Sequence, residues 1–304
     1  MTKLLTSLRQ HWPEYLMEAW GLGMLMVSAG VFATLLEFSG SPLRQAISDP
    51  NIRLALMGLA MGLTVIGIIY SPWGQQSGAH INPAVTLTFL RLRTVAPSDA
   101  LFYIIAQLVG GTLGVLLVAI LLGGMFTEPP VSYIVTVPGP TGISIAFLAE
   151  FLLSLGLMLA ILFFMNTKRL ARLTGLAAGI LVAIYVTVEA PLSGMSINPA
   201  RTFASGATSG VWNHAWIYYT APILGMLAAV EIYRLLRRRP TFRCAKLDHP
   251  DHKRCIHCGY EPRSDHTPAA DPLKTHSDTT TTVPSQHPEL SRNKGEHLHE
   301  RTAV

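Results

Sequence analysis

Two nearly identical ten-residue segments constrain the fold of this chain more than any other feature. The sequence SGAHINPAVT occupies positions 77–86 and SGMSINPART occupies positions 193–202, so seven of ten positions match. In each copy an asparagine precedes a proline, and asparagine as N-cap followed by proline in the first turn is typical of helix starts. The repeat therefore indicates a duplicated chain with equivalent helix starts at Asn82 and Asn198.

The residues around the two segments are apolar enough for a membrane protein. Charged residues make up 13% of the chain, whereas about 25% is usual in soluble domains. Of the 41 charged residues, 23 lie before position 240 and 18 lie in the last 65 positions, so an apolar body is followed by a polar tail. The net charge of +5 belongs to the body. It suits loops beside membrane lipid and gives no support to nucleic-acid binding.

Apolar windows of about 20 residues predict six membrane spans. They lie at about 14–37, 52–70, 99–122, 143–166, 173–190 and 213–236. The Asn-Pro-Ala segments, about 82–91 and 198–208, are too short to cross a bilayer, and a helix that begins at this depth must line a cavity. We therefore expect an all-α membrane protein with six transmembrane helices and two re-entrant half-helices. Three spans per copy invert the second copy relative to the first, which gives an inverted repeat.

Basic residues favour one side of this predicted bundle. They are Lys3, Arg9, Arg91, Arg93, Lys168, Arg169, Arg172, Arg234 and Arg237 to Arg239. The positive-inside rule places this side, and both termini, in the cytoplasm. We expect the protein to lie in the plasma membrane. Arg44 and Arg53 oppose the bias without reversing it. Because the N-terminus runs into a span that contains Glu14 and Glu18, no cleavable signal peptide is predicted.

The two motifs, Arg201 directly behind the second motif and the order of the spans resemble the major intrinsic protein family, the aquaporins, over residues 10–238. The resemblance implies that the half-helices meet at the bilayer centre, where Asn82 and Asn198 donate into a single-file pore. It also implies a homotetramer in which each subunit has its own pore. The remaining motif residues support the two helix starts: Pro83, Ala84, Pro199 and Ala200.

Two facing helix N-termini are suited to a pore for water. Each presents the equivalent of about +0.5 charge and free N–H donors. Cations are repelled there, and a central water that accepts from both asparagines interrupts proton transfer along the file. Carbonyls of residues 78–80 and 194–196 are expected to supply acceptors along the path.

The resemblance also implies an outer constriction lined by Arg201, which is the only charged residue between positions 190 and 230. An arginine that anchors the protein at the membrane interface is the alternative. Counting from the second motif places Val186 and Met195 in the constriction. The fourth position, on the second span, is Gly62 by direct counting, or Met61 if the loop of residues 71–76 before the first motif holds one extra residue.

The predicted constriction leaves the preferred solute open. Val186 stands where strict water channels of the resembled family typically have histidine, which makes the constriction wider and more apolar. Thr202, and the pair Tyr218 and Tyr219, are closer to water channels than to glycerol channels. We expect a passive channel for water, with small neutral solutes second. A broad pore for glycerol, urea, ammonia or hydrogen peroxide is the alternative.

Three ionisable residues need a role inside the body. The resemblance suggests that Glu18 and Glu150, at corresponding places in the first and fourth spans, accept hydrogen bonds from the half-helix loops and brace the pore. A secondary transporter would use them as a proton relay, but it would need further ionisable groups in series. His80 either lines the pore or forms a structural hydrogen bond within its loop. No nucleophile and base pair stands out in the body, so an enzyme is not predicted.

The tail contains all three cysteines, Cys244, Cys255 and Cys258. With His249 or His252 they have the composition of a tetrahedral zinc site, and a cytoplasmic tail keeps the thiols reduced. A disordered tail without metal is the alternative. The predicted domains are therefore a channel domain, 1–239, with repeats at about 10–122 and 143–238, a Cys/His segment, 240–263, and a disordered tail, 264–304.

Overall fold

The computed structural model describes residues 2–237 and 244–262, and the regular secondary structure of this part of the chain is helical. The α-helices are α1 (Thr2–Glu37), α2 (Pro42–Ala46), α3 (Pro50–Tyr70), α4 (Pro72–Ser77), α5 (Pro83–Arg91), α6 (Pro97–Leu122), α7 (Gly124–Thr127), α8 (Ile143–Met165), α9 (Thr174–Ser193), α10 (Pro199–Ser209) and α11 (Trp216–Leu236). Short 3-10 turns lie at Ser132–Ile134 and Ala171–Leu173.

Six of these helices, α1, α3, α6, α8, α9 and α11, are long and apolar enough to cross a membrane. Large apolar side chains cover their outer surfaces; Ile120 is 78% exposed and Val188 is 69% exposed. A water-soluble protein would bury such residues, so these surfaces face lipid. The protein is an integral membrane protein, as predicted.

Helix α1 starts about twelve residues earlier than the predicted span. A hydropathy window detects only apolar length, and the first turns of α1 are held by polar contacts instead. Ser7 Oγ lies 2.7 Å from Ser98 Oγ, and His11 Nδ1 lies 2.9 Å from Asp99 Oδ1 at the start of α6. The N-terminal turns are therefore part of the bundle rather than a loop before it.

The helix pairings confirm the inverted repeat. Helix α1 packs along α6 and α8 packs along α11, while α3 packs along α9 between the two copies. Each short helix crosses to the other copy, since α5 packs against α11 and α10 packs against α6. The half-helices α5 and α10 begin one residue after Asn82 and Asn198.

Small residues permit the close approach of the long helices. A Cβ at Gly62 would lie 2.6 Å from the carbonyl oxygen of Gly179 on α9, and a Cβ at Gly110 would collide with the carbonyl of Ala19 on α1. Side chains at these positions would separate the helix pairs, as expected for small residues at contacts between membrane helices.

The two arginines that oppose the charge bias share one glutamate as their ion-pair partner. Arg44 Nη1 lies 3.0 Å from Glu37 Oε2, and Arg53 Nε lies 3.1 Å from Glu37 Oε1. Arg53 also donates to the carbonyls of Ile47 and Ser48. Arg53 thus holds the loop after α1, and Glu37 offsets one of the two positive charges on that side.

Residues 244–262 belong to the same compact unit as the helices. They lie on the side of the bundle where α1 begins, since Arg254 Nη2 is 3.0 Å from Glu14 Oε1 and Lys253 Nζ donates to the Pro72 carbonyl at 2.6 Å. We call this side the terminal face and the other side the opposite face. The predicted disordered tail, 264–304, lies outside the described residues.

Candidate functional site

The two asparagines cap their helices and are joined to each other's loops. Asn82 Oδ1 accepts from the Ala84 N–H at 2.9 Å, and Asn198 Oδ1 accepts from the Ala200 N–H at 3.0 Å. Asn82 Nδ2 donates to the Ile197 carbonyl and Asn198 Nδ2 donates to the Ile81 carbonyl, both at 2.8 Å. A side-chain amide nitrogen has two hydrogens, so each asparagine keeps a second donor for the cavity that both line.

The loops before the half-helices have the same unusual backbone in both copies. Ala79 and Ile81 have positive φ angles of 53° and 41°, and Met195 and Ile197 have φ angles of 47° and 46°. Residues with a Cβ adopt this region at a cost, so the surrounding structure must hold them there. All four residues line the cavity.

Glu18 and Glu150 hold these loops. Glu18 accepts from the N–H groups of His80 and Ile81 at 3.0 and 2.7 Å. Glu150 accepts from the N–H groups of Ser196 and Ile197 at 2.7 and 2.6 Å. Both carboxylates are fully buried. Each also accepts from the serine that begins the repeated motif, Ser77 or Ser193.

Three further residues help to hold the two loops, and the sequence did not predict their contacts. Gln107 Nε2 donates to Glu18 Oε2 at 2.8 Å, without an equivalent bond to Glu150 in the described residues. Tyr103 donates to the Ser77 carbonyl and Tyr218 donates to the Ser193 carbonyl, both at 2.6 Å. Tyr218 is thus buried, and it is not among the described residues that line the cavity. The offset between the two tyrosines, nearly equal to that of the motifs, is the signal that could have identified them.

A cavity of about 200 Å³ runs past both asparagines and Arg201. Its lining includes the predicted Val186 and Met195, and it contains Met61 rather than Gly62. Of these two alternatives, Gly62 lies outside the lining: it faces α9, where its missing side chain allows helix contact. The other lining residues are mostly apolar, such as Leu54, Met57, Val65, Ile69, Leu157, Ile161, Ala178 and Val182.

Arg201 is fixed by a loop from the opposite face. Its Nη1 donates to Thr136 Oγ1 at 2.6 Å. Thr136 Oγ1 lies 3.0 Å from Thr202 Oγ1, which lies 2.6 Å from Ser196 Oγ. Sequence reasoning missed Thr136 because it lies in an irregular connection without periodicity. Thr202 serves this network and does not line the cavity in the described structure.

His80 does both things that the sequence left open. It lines the cavity, and its Nδ1 lies 3.2 Å from Thr86 Oγ1 within the loop. Its Nε2 donates to the carbonyl of Ala245 at 2.8 Å. This second bond joins the pore to the Cys/His segment, a contact that the sequence did not predict.

The predicted metal-ligating residues lie together. The ligand atoms of Cys244, His249, Cys255 and Cys258 are all within 4.8 Å of one another, and His252 is not among them. The hydrogen bond between Cys244 and Cys255 is the main cause that lowers the pKa of Cys255, and a bond with His249 adds to it. The bond between the two cysteines also raises the pKa of Cys244. A thiolate at this place suits a cation, because thiolates rather than thiols bind metals.

Six membrane helices and two half-helices that meet end to end at a buried cavity define an integral membrane protein with a central pore. The family model of the major intrinsic proteins matches residues 6–233. The chain belongs to the major intrinsic protein family.

Similar proteins agree with this family. The putative aquaporin NIP4-1 of Arabidopsis thaliana is 37% identical over 58% of this chain and 60% of its own length. Aquaporin NIP2-3 of Zea mays is 32% identical over 75% of this chain and 74% of its own length. The chain thus spans about 60% of some curated relatives that it matches. The X-ray structure of the aquaglyceroporin from Plasmodium falciparum has the same fold, with a TM-score of 0.62 at 22% identity, over 74% of this chain and 96% of that one.

Proposed function

We propose that this chain is a passive membrane channel for water and small neutral solutes that excludes ions and protons. The reciprocal bonds of Asn82 and Asn198 at the meeting point of α5 and α10 carry the proposal. Two helix N-termini and the Arg201 guanidinium place positive potential along one cavity. Membership of a family whose named relatives are aquaporins supports a channel rather than an enzyme.

The lining supports water as the first solute and a wider neutral range as the second. Met61, Val186 and Met195 line the same cavity as Arg201 with apolar side chains, so a solute with a hydrocarbon backbone has a surface to contact while its hydroxyl or amide groups bond to the arginine. Glycerol and urea have this character. The Plasmodium falciparum protein of similar fold is an aquaglyceroporin, a name that refers to glycerol as well as to water.

A proton-coupled transporter is disfavoured. Glu18 and Glu150 accept three or more hydrogen bonds each from the chain. Neither lines the cavity between the described helices. A relay requires carboxylates that exchange protons with the path, and these two are committed to the loops.

The terminal face is the proposed cytoplasmic side of the plasma membrane. The basic loops before α6 and between α8 and α9 lie with the start of α1, and on the opposite face Glu37 offsets one of the two charges of Arg44 and Arg53. We also propose the homotetramer of the family; multi-angle light scattering of the detergent-solubilised protein measures it, and a monomeric mass would contradict it.

Stopped-flow light scattering of proteoliposomes tests the channel. We expect vesicles with the protein to shrink faster than empty vesicles under a sucrose gradient and to refill faster under a glycerol gradient. Asn198→Asp places a carboxylate at the meeting point and should reduce both rates, whereas Asn51→Asp, a matched change at an exposed position, should not. Ala245 contacts His80 at the cavity end and follows Cys244, one of the clustered residues that could hold a metal ion. Each measurement is therefore made with and without the zinc chelator TPEN. Rates equal to those of empty vesicles in all conditions would contradict the proposal.

A further inference from the structure

Residues 244–262 pack against the terminal end of the pore. Ala245 is fully buried and Leu247 is 5% exposed, and both pack in the apolar cluster that contains the pore-lining Val65 and Ile69. Leu247 itself lines the cavity. Polar contacts add to this packing, since the Leu247 N–H donates to the Gly78 carbonyl at 3.2 Å. The Gly78 carbonyl was expected to serve the solute path, and here the segment occupies it.

The segment is attached to the bundle at several points around this end. The carboxylate of Glu14, fully buried, accepts from Arg254 at 3.0 Å and from Gln76 at 2.8 Å. Gln75 donates to Asp248 at 2.8 Å, and His257 Nε2 donates to the Ser77 carbonyl at 3.1 Å. These contacts specify one docked position for the segment.

The four clustered ligands have the chemistry and spacing of a zinc site. Tetrahedral zinc, at about 2.3 Å from sulfur and about 2.0–2.1 Å from nitrogen, places its ligand atoms about 3.5–3.8 Å apart. Cys244 Sγ lies 3.3 Å from Cys255 Sγ, and His249 Nε2 lies 3.3 Å from Cys258 Sγ. These two separations would lengthen by a few tenths of an ångström, and the wider ones, all within 4.8 Å, would shorten to complete the tetrahedron. The Cys-x2-Cys turn is closed by a bond from the Gly259 N–H to the Cys255 carbonyl at 3.0 Å.

The positions of the ligands connect metal binding to closure. Cys244 directly precedes Ala245, and His249 follows Leu247 by two residues, so two ligands bracket the part of the segment that enters the cavity end. A segment this short cannot order itself through its own apolar core. Metal binding to such segments contributes folding free energy directly. A metal ion would therefore stabilise the conformation that closes the pore.

We propose that Cys244, His249, Cys255 and Cys258 bind a zinc ion and that the zinc-bound segment closes the terminal mouth of the pore with Leu247. The closure rests on the proposed channel function, whereas the zinc site does not. Loss of zinc releases residues 244–249 from His80 and Gly78 and opens the path. Zinc is thus the regulatory ligand of the channel, and it binds on the terminal face.

The test uses the full-length protein, purified without a histidine tag. Zinc per chain is measured by inductively coupled plasma mass spectrometry, and osmotic water permeability is measured in proteoliposomes as zinc is removed by TPEN and then restored. We expect one zinc per chain and a permeability that rises on chelation by at least about tenfold, the size of a shift from a mostly closed to a mostly open population. Restored zinc should reverse the rise.

Three variants separate the two parts of the proposal. Cys258→Ser should lose zinc and conduct without chelation, while His252→Ala, a change of an exposed histidine in the same segment outside the cluster, should behave as the wild type. Leu247→Ala should keep its zinc and lose much of the inhibition. Rescue of closure in Cys258→Ser by added zinc would contradict the assignment of Cys258.

Each other outcome overturns a stated part. A purified chain without zinc that also takes up none, or a chain two mass units lighter because Cys244 and Cys255 have formed a disulfide, overturns the metal site. Stoichiometric zinc with equal permeability before and after TPEN overturns the closure. Stoichiometric zinc in vesicles that never exceed empty ones, chelated or not, contradicts both the channel and its closure while the zinc site stands.

Discussion

At the scale of the residue, the pore depends on groups that no solute touches. The asparagines can present donors to the cavity only because the loops before them stay in a left-handed conformation. Glu18 and Glu150 satisfy the N–H groups of those loops from inside the bundle. Burial of a carboxylate costs free energy unless the group is hydrogen-bonded. Each carboxylate and the loop that it holds therefore stabilise each other.

The second brace can be tested by removing its carboxylate. Glu150→Ala leaves the N–H groups of Ser196 and Ile197 without acceptors, and each unsatisfied buried donor costs about 1–3 kcal/mol. We expect a lower unfolding temperature in detergent and a lower water permeability. Glu231→Ala, which removes a half-exposed partner of Arg91, costs about 0–1 kcal/mol. Equal melting of the two variants would contradict the role of Glu150.

The position of Arg201 depends on one hydroxyl group. A hydrogen bond from a charged donor contributes about 1.5–3 kcal/mol, enough for the bond to Thr136 to fix the guanidinium at the wall. Thr136→Ala should free the guanidinium to enter the cavity and should reduce water permeability severalfold. Thr136→Ser keeps the acceptor and should conduct as the wild type. The two variants and the wild type are compared by stopped-flow shrinkage of proteoliposomes treated with TPEN. A shrinkage rate of Thr136→Ala equal to that of the wild type would rule out this role.

Sequence reasoning at this scale succeeded where local chemistry was repeated. The two motifs identified both asparagines, and their family resemblance suggested the roles of Glu18 and Glu150. Gln107 and Thr136 were missed because each acts across the fold on a residue far away in the chain, which leaves no local pattern. The choice between Met61 and Gly62 depended on which face of α3 meets α9, and spacing alone does not determine that face.

At the scale of the element, the fold depends on how closely α3 and α9 approach. Gly62 lies at this contact, and a methyl group there would be 2.6 Å from the Gly179 carbonyl oxygen and 2.8 Å from Ala183 Cβ. Gly67 is on the same helix with open space around it. The two glycines therefore differ in packing while they share a helix.

This difference predicts opposite effects of the same substitution. Gly62→Ala should destabilise the bundle, since overpacking typically costs about 1–3 kcal/mol. Gly67→Ala should leave stability unchanged or raise it, because alanine favours a helix over glycine by about 1 kcal/mol. Thermal unfolding followed by intrinsic fluorescence compares them. A melting temperature that falls equally in both would show that backbone freedom, not helix contact, explains these glycines.

Element boundaries followed from the sequence where a chemical signal marked them. Proline and asparagine marked the starts of α5 and α10 within one residue. The first turns of α1 gave no such signal, because their polar contacts to Ser98 and Asp99 depend on the packing of α1 against α6. Hydropathy detects the part of a helix that lipid surrounds, and it misses the part that other chain segments hold.

At the scale of the whole molecule, we propose that the duplicated body forms the channel and that the Cys/His segment regulates it. The inverted repeat builds a cavity with positive helix ends at its centre, and residues 244–262 cover its terminal end. The sequence predicted both parts separately and did not predict their contact, because the bonds of Ala245 to His80 and of Leu247 to Gly78 join residues more than 160 positions apart. Composition pointed to the proposed ligands of the segment but not to its place against the bundle.

One measurement tests selective conduction most directly: water flux and proton flux in the same proteoliposomes. Vesicles loaded with a pH-sensitive dye and treated with TPEN receive an osmotic gradient and, separately, a pH gradient. We expect shrinkage much faster than in empty vesicles and a pH gradient that decays no faster than in empty vesicles, because the facing helix ends and Arg201 exclude cations. A pH gradient that collapses as water permeability rises, or water flux no faster than through lipid alone, would contradict the proposed channel.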